Sequence, residues 1–205
     1  MLRKVVTARR RALPGFVLCA LCGLAEAAVI TLRVSDSASG RALDSVVASL
    51  VPLDRGELPQ PRSASIAQAN KTFLPHVSVV QTGTAVEFPN NDTVRHHVYS
   101  FSPAKVFELK LYSGKPAKPV IFDKPGVVVL GCNIHDRMSA YVVVVDTPWF
   151  GISDGEGTVR VSGVPPGDYL LQLWHPRRLG LPELPPRPLR VMGDLAESVS
   201  VDLKN

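Results

Sequence analysis

Cysteine is scarce in this sequence: there are three in 205 residues, and only Cys132 lies beyond position 22. A disulfide framework is therefore excluded as the device that holds the chain together. Methionine is equally rare at three residues, and aromatics make up 6%. No basic stripe interleaved with aromatics is present, which removes the usual footprint of a nucleic-acid binder. No segment after position 28 keeps a helical period, and the one long apolar run, Ala12 to Leu24, is too short to cross a bilayer as a helix.

That apolar run belongs to an export signal expected over residues 1–27. Arg3, Lys4, Arg9, Arg10 and Arg11 precede it, and Ala25-Glu26-Ala27 supplies the small-x-small cleavage pattern. Neither Cys19 nor Cys22 has the flanking residue of a lipoprotein site, and the paired arginines match a twin-arginine signal only loosely. Cleavage near Ala27 leaves 18 basic and 17 acidic residues, so the formal charge of +5 belongs largely to the signal. The mature chain is expected in the periplasm with no membrane span. There Cys132 stands alone in an oxidising compartment, where a thiol is a liability unless it is buried and inert or held as a metal thiolate.

Short Val/Ile/Leu/Phe runs punctuated by Gly, Pro, Asn and Asp predict an all-β protein. Val29 to Val34 and Val46 to Val51 read as the first strands, and the Pro-rich stretch 57–65 as a linker. From Ile66 the runs resume: 66–68, 77–80, 84–88, 94–101, 107–112, 120–122, 127–130 and 141–145. Such spacing suits a β-sandwich with Greek-key connections. Beyond Asp146 come a bridge (147–150), strands at 158–161 and 169–174, a Pro-rich arm (175–188) and a last strand near 198–203.

Between two of these strands lies Gly131-Cys132-Asn133-Ile134-His135-Asp136-Arg137-Met138. A thiolate, an imidazole and a thioether within seven residues form a soft donor set suited to copper rather than to magnesium or calcium. A second imidazole is needed for a His2Cys site with an axial Met, and the pair His96-His97 offers one. Adjacent strand residues face opposite sides, so only one of the pair can reach Cys132; with the register unknown, both remain candidates.

The segment Phe88-Pro89-Asn90-Asn91-Asp92-Thr93-Val94-Arg95-His96-His97, taken with the Cys132 loop, resembles the plastocyanin and amicyanin branch of the cupredoxins. The runs Tyr112-Ser113-Gly114 and Phe122-Asp123-Lys124-Pro125-Gly126 are similar to exported proteins often labelled methylamine-utilisation proteins. The resemblance implies one mononuclear copper, Cu(I)/Cu(II), held by His96, Cys132, His135 and Met138, with His97 as the alternative to His96. It favours His96 from its place in the motif. Two departures stand out. His97 sits where relatives usually have Asn, and Asp136 where they often have Pro, which would set a carboxylate beside His135.

A second resemblance is carried by Gly40-Arg41-Ala42-Leu43-Asp44-Ser45-Val46-Val47, Asp154-Gly155-Glu156-Gly157 and Val164-Pro165-Pro166-Gly167-Asp168-Tyr169-Leu170. These look like the carboxypeptidase-regulatory, transthyretin-like β-sandwich. The expected architecture is thus a cupredoxin-like Greek-key sandwich at 66–146 inserted into, or fused with, a transthyretin-like sandwich built from 28–56 and 147–205. A single larger sandwich is the competing arrangement. The implied role is a periplasmic type-1 (blue) copper protein, not an enzyme, passing single electrons to a redox protein such as a cytochrome or dehydrogenase. Copper handling without a shuttle role and a structural binding module are the alternatives. A Cys132 nucleophile lacks an orienting motif.

Overall fold

The computed structural model describes residues 27–54 and 56–204. The expected export signal, up to position 26, lies outside them. Two strands come first, β1 (Ala28–Asp36) and β2 (Val47–Pro52). A middle group follows: β3 (Ala64–Ser65), β4 (Ala67–Ala69), β5 (Thr72–Leu74), β6 (Val77–Gln81), β7 (Thr84–Glu87), β8 (His96–Ser102), β9 (Lys105–Tyr112), β10 (Val120–Phe122), β11 (Gly126–Gly131) and β12 (Ser139–Val145). The last group is β13 (Phe150–Ile152), β14 (Thr158–Val164), β15 (Gly167–Trp174), a 3-10 turn at Pro176–Arg178, β16 (Arg187–Val191) and β17 (Leu195–Val201). The described residues form an all-β structure.

Strand pairing separates these elements into two sets. The first and last groups build a sheet ordered β14-β1-β17 and another ordered β13-β2-β15-β16. The middle group builds β6-β12-β11-β8-β9, β10-β7-β3 and the β4-β5 hairpin. Each set encloses its own apolar core. In the first, alternation along β1 turns Ala28, Ile30, Leu32 and Val34 inward against Leu50, Leu171 and Val199. In the second, Phe73, Phe88 and Phe122 pack with Val98, Leu130 and Val142, and Cys132 and Met138 belong to the same core.

Strand β2 is buried at all six positions. Its two faces meet different partners: Ala48 and Leu50 face the first core, while Val47 joins Val77, Val143 and Val145 where the two sets pack together. Two-sided burial favours apolar residues on both faces, and in β2 only Ser49 departs from that; each buried Leu or Val contributes about 1.5–3 kcal/mol. The chain returning from β12 is fastened to β2 by the buried Thr147, whose hydroxyl donates to the Leu50 carbonyl at 2.7 Å. Ser153 repeats the device, donating to the Leu43 carbonyl at 2.7 Å and accepting the Val46 N–H at 2.8 Å.

Four expectations need correction. The linker expected over 57–65 ends in β3, where Ala64 and Ser65 pair in parallel with Val86 and Glu87. The strand expected from Val94 begins at His96, because the Asn90 amide donates to the carbonyls of Val94 and Tyr112, both at 2.9 Å, and holds Val94 in the loop. The bridge expected at 147–150 runs directly into β13, a short edge strand paired with β2 through Phe150 and Ser49. The Pro-rich arm gives way to β16, an edge strand on which Pro188 sits opposite Leu170; a proline that cannot donate to a ladder is tolerated at an edge.

Candidate metal centre

The centre lies at one end of the five-stranded sheet. β8 and β11 are antiparallel neighbours with Tyr99 opposite Gly131, so His96, the first residue of β8, lies beside the segment that leaves β11 at Cys132. β11 and β12 stay paired as far as Gly131 and Ser139, which closes 132–138 into a loop. Within it the Met138 N–H donates to the His135 carbonyl at 2.9 Å, folding His135 back towards Cys132.

Three donor atoms converge as a result. Cys132 Sγ is 3.9 Å from His96 Nδ1 and 3.8 Å from His135 Nδ1, and the ligand atoms of all three residues lie within 4.8 Å of one another. The two imidazole rings are 4.9 Å apart at 55°. His96 and Cys132 are buried, His135 half-buried, and Asn133, Ile134, Asp136 and Arg137 exposed around it. Met138, 2% exposed, sits in the same core as Cys132.

This arrangement fits a metal ion. Around a divalent first-row metal with sulfur at about 2.3 Å and imidazole nitrogen at about 2.0–2.1 Å, tetrahedral to trigonal angles set sulfur and nitrogen about 3.6–3.8 Å apart. The 3.8 Å separation to His135 falls within that range and the 3.9 Å separation to His96 lies just beyond it. One thiolate with two imidazoles, and a buried thioether nearby in the core, is chemically a soft-to-borderline donor set of the kind that holds copper.

Strand parity separates the histidine pair. His96 shares the inward face of β8 with Val98 and Ser100, all fully buried. His97 lies on the opposite face of the strand, also buried, where its ring tilts against Tyr99 at 5.4 Å and its Nε2 meets Glu108 Oε1 at 2.8 Å. Only His96 of the two lies against Cys132. His76 packs on Tyr141 at 5.3 Å. His175 caps the 3-10 turn by accepting the Arg177 N–H at 3.1 Å, and burial pushes its pKa below the ordinary value.

The loop before β8 contains partners that the sequence did not single out. Asp92 Oδ2 lies 2.6 Å from His96 Nε2, on the far side of the ring from Cys132. Backbone donation from Lys71 chiefly holds the Asp92 carboxyl below the usual range; the contact with His96 and the Asn70 N–H add to this, against some burial. Beneath the site, the Tyr112 hydroxyl donates to the Phe88 carbonyl at 2.7 Å and meets the Gln68 amide. Burial is the main reason its pKa is pushed up to about 12, and Cys132 adds to that push. The carboxylate in contact with a histidine of the cluster is thus Asp92, while Asp136 is exposed. The only legible signal for Asp92 was the Asn90-Asn91-Asp92 run, which reads equally well as ordinary loop chemistry.

No known protein family matches the chain by sequence, and no curated protein matches it. Among solved structures it is similar to a purple cupredoxin from Nitrosopumilus maritimus, at 23% identity over 40% of this chain and 99% of the other, with a TM-score of 0.36. A copper-containing nitrite reductase from Thermus scotoductus is similar at 24% identity over 46% of this chain and 25% of the other, TM-score 0.39. A reduced amicyanin variant is similar at 21% identity over 40% of this chain and 82% of the other, TM-score 0.36. Each overlap spans less than half of this chain, and the chemistry of the site is carried by the side chains described above.

Proposed function

We propose that the chain is a mononuclear type-1 copper protein that carries single electrons, in which His96, Cys132 and His135 would be the main ligands and Met138 a fourth, weaker one. The convergence of Cys132 Sγ with two imidazole Nδ1 atoms at 3.8 and 3.9 Å carries this reading. Bound copper would supply the Cu(I)/Cu(II) couple, which moves one electron and no proton. The protein's part is to hold the donors still. His96 and Cys132 are fixed by strand ends in a packed core, so either oxidation state meets the same donor set and little has to rearrange. His135 is the half-buried member, ringed by exposed residues that include Ile134 at 48% exposure. That rim is the face we assign to a docking redox protein, a cytochrome or a dehydrogenase.

The same reading makes 66–146 the copper-binding unit, and 28–56 with 147–205 a transthyretin-like sandwich that supports it. Residues 1–27 act as the export signal, and the periplasm is the place of work. The described strands β3–β12 pair only among themselves, which supports a separate middle unit that begins two residues earlier, at Ala64, and the charge and cleavage pattern of the N-terminus supports the export signal. Voltammetry of the copper-loaded protein tests the role. A reversible one-electron wave is the expected result; tight copper binding without a reversible wave would mean copper handling in place of electron transfer.

A further inference from the structure

We propose that Asp92 is a positioning residue for His96, and that the turn of the β4–β5 hairpin holds Asp92 in place to do it. The proposal rests on the copper reading above for the charge it places behind the metal, and on the protein's own geometry for the rest. Three donors converge on this one carboxylate. The Asn70 N–H reaches Oδ1 at 2.6 Å, the Lys71 N–H reaches Oδ2 at 2.9 Å, and His96 Nε2 reaches Oδ2 at 2.6 Å.

The consequence for His96 is a choice of tautomer. An ionised carboxylate only accepts hydrogen bonds, so the His96 proton belongs on Nε2, and Nδ1 presents its lone pair 3.9 Å from Cys132 Sγ. The opposite tautomer would set a nitrogen lone pair against a carboxylate oxygen and place a proton where a metal has to bind. Carboxylate–histidine–metal triads use this arrangement to orient the ring and raise its basicity. Here the His96 side chain is 0% exposed and that of Asp92 14%, so water competes weakly for either group.

The hairpin turn is built for the contact. Asn70 and Lys71 have φ of 54° and 57°, as a two-residue type I′ turn requires. Lys71 accepts a left-handed conformation that disfavours any residue but glycine, and both turn N–H groups end on Asp92. From the other side, the Asp92 N–H donates to Asn90 Oδ1 at 2.9 Å, while the Asn90 amide holds Val94 and Tyr112. The carboxylate is therefore fixed by two separate segments before His96 is reached.

Two variants, Asp92→Asn and Asp92→Ala, test this with two readouts. Nitrogen-15 NMR of the metal-free protein at one neutral pH reports which His96 nitrogen carries the proton. Wild type is expected to show the Nε2–H form. Asp92→Asn keeps an acceptor oxygen and the tautomer but loses the charge, and should shift the copper couple towards Cu(I) about tenfold, which is about 59 mV for one electron. Asp92→Ala should mix the tautomers and weaken metal affinity about 10–100-fold. A wild-type protein with mixed or Nδ1–H tautomers overturns the proposal, as does an Asp92→Ala protein with unchanged tautomer and affinity. If Asp92→Ala fails to fold, the wild-type and Asp92→Asn spectra still decide. A wild type that gives no thiolate charge-transfer band with Cu(II) contradicts the copper reading alone, and the metal-free NMR arm then decides the positioning role by itself.

Discussion

Gly131 is where the strand framework and the metal centre are joined most tightly, and Gly131→Ala tests that junction. The residue pairs with Tyr99 across β8 and β11 and is followed directly by Cys132. A Cβ at position 131 would lie 2.6 Å from Tyr99 Cζ and 2.7 Å from its Oη. Carbon contacts are favourable at about 3.5–4.0 Å, so either the ring retreats by roughly 1 Å or the end of β11 does. The ring tilts against the buried His97 at 5.4 Å, which resists its retreat on that side, while Phe101, at 5.1 Å and exposed, can give way. Overpacking of this kind costs about 1–3 kcal/mol, and for a chain of this size each kcal/mol lowers Tm by about 2–4 °C. Any retreat of β11 also moves Cys132 relative to His96. The assay is a double-mutant cycle of Gly131→Ala with Tyr99→Ala, read by thermal unfolding and by the visible spectrum of the copper form. Removing the ring should relieve most of the cost, giving a coupling of about 1 kcal/mol or more. A coupling within the ~0.3–0.5 kcal/mol expected of independent sites, with the spectrum unchanged in both single variants, would refute the reasoning.

Gly157→Ala should destabilise the first sandwich: φ is +76° and a Cβ would collide with the Val34 carbonyl oxygen, which is backbone and cannot move aside. The left-handed conformation alone costs about 1–2 kcal/mol, so thermal unfolding should drop by several degrees; an unchanged Tm would contradict the packing described. His175 should make stability pH-dependent. Burial lowers its folded pKa below the ordinary 6.5, so the unfolded chain takes up the proton first as pH falls. Its stabilising contribution is complete above about 6.5 and is lost as pH falls through and below that value. His175→Gln should flatten the acid side of a Tm-against-pH curve, and a curve of wild-type shape would show that the ring contributes nothing there.

Much of the centre was legible because its chemistry is local. Cys132, His135 and Met138 share one loop between two apolar runs, and turn spacing alone suggests that they meet. The strand pattern left His96 and His97 open, since a one-residue change of register exchanges the faces, and only the motif resemblance favoured His96; Val98 and Ser100, buried on the same side as His96, show which ring faces Cys132. Asp92 was hidden for a different reason. Its partners Asn70 and Lys71 lie more than twenty positions upstream, at separations of 22 and 21 residues, and nothing local announces that a hairpin turn will close on a loop. In the fold, β16 was masked by Pro186 and Pro188, residues that argue against a central strand but not against an edge. β13 was masked by its length of three residues around Gly151. The two-sided burial of β2 was not read from the sequence either, because the polar Ser49 interrupts its apolar residues.

The most direct measurement is a titration of the metal-free protein with Cu(II), followed by its visible spectrum, alongside Cys132→Ser. An intense thiolate-to-copper charge-transfer band that saturates at one equivalent, and is absent from Cys132→Ser, is the result this account predicts. Weak absorption from the wild type, no stronger than that of the variant, would mean that Cys132 does not bind copper and would contradict it.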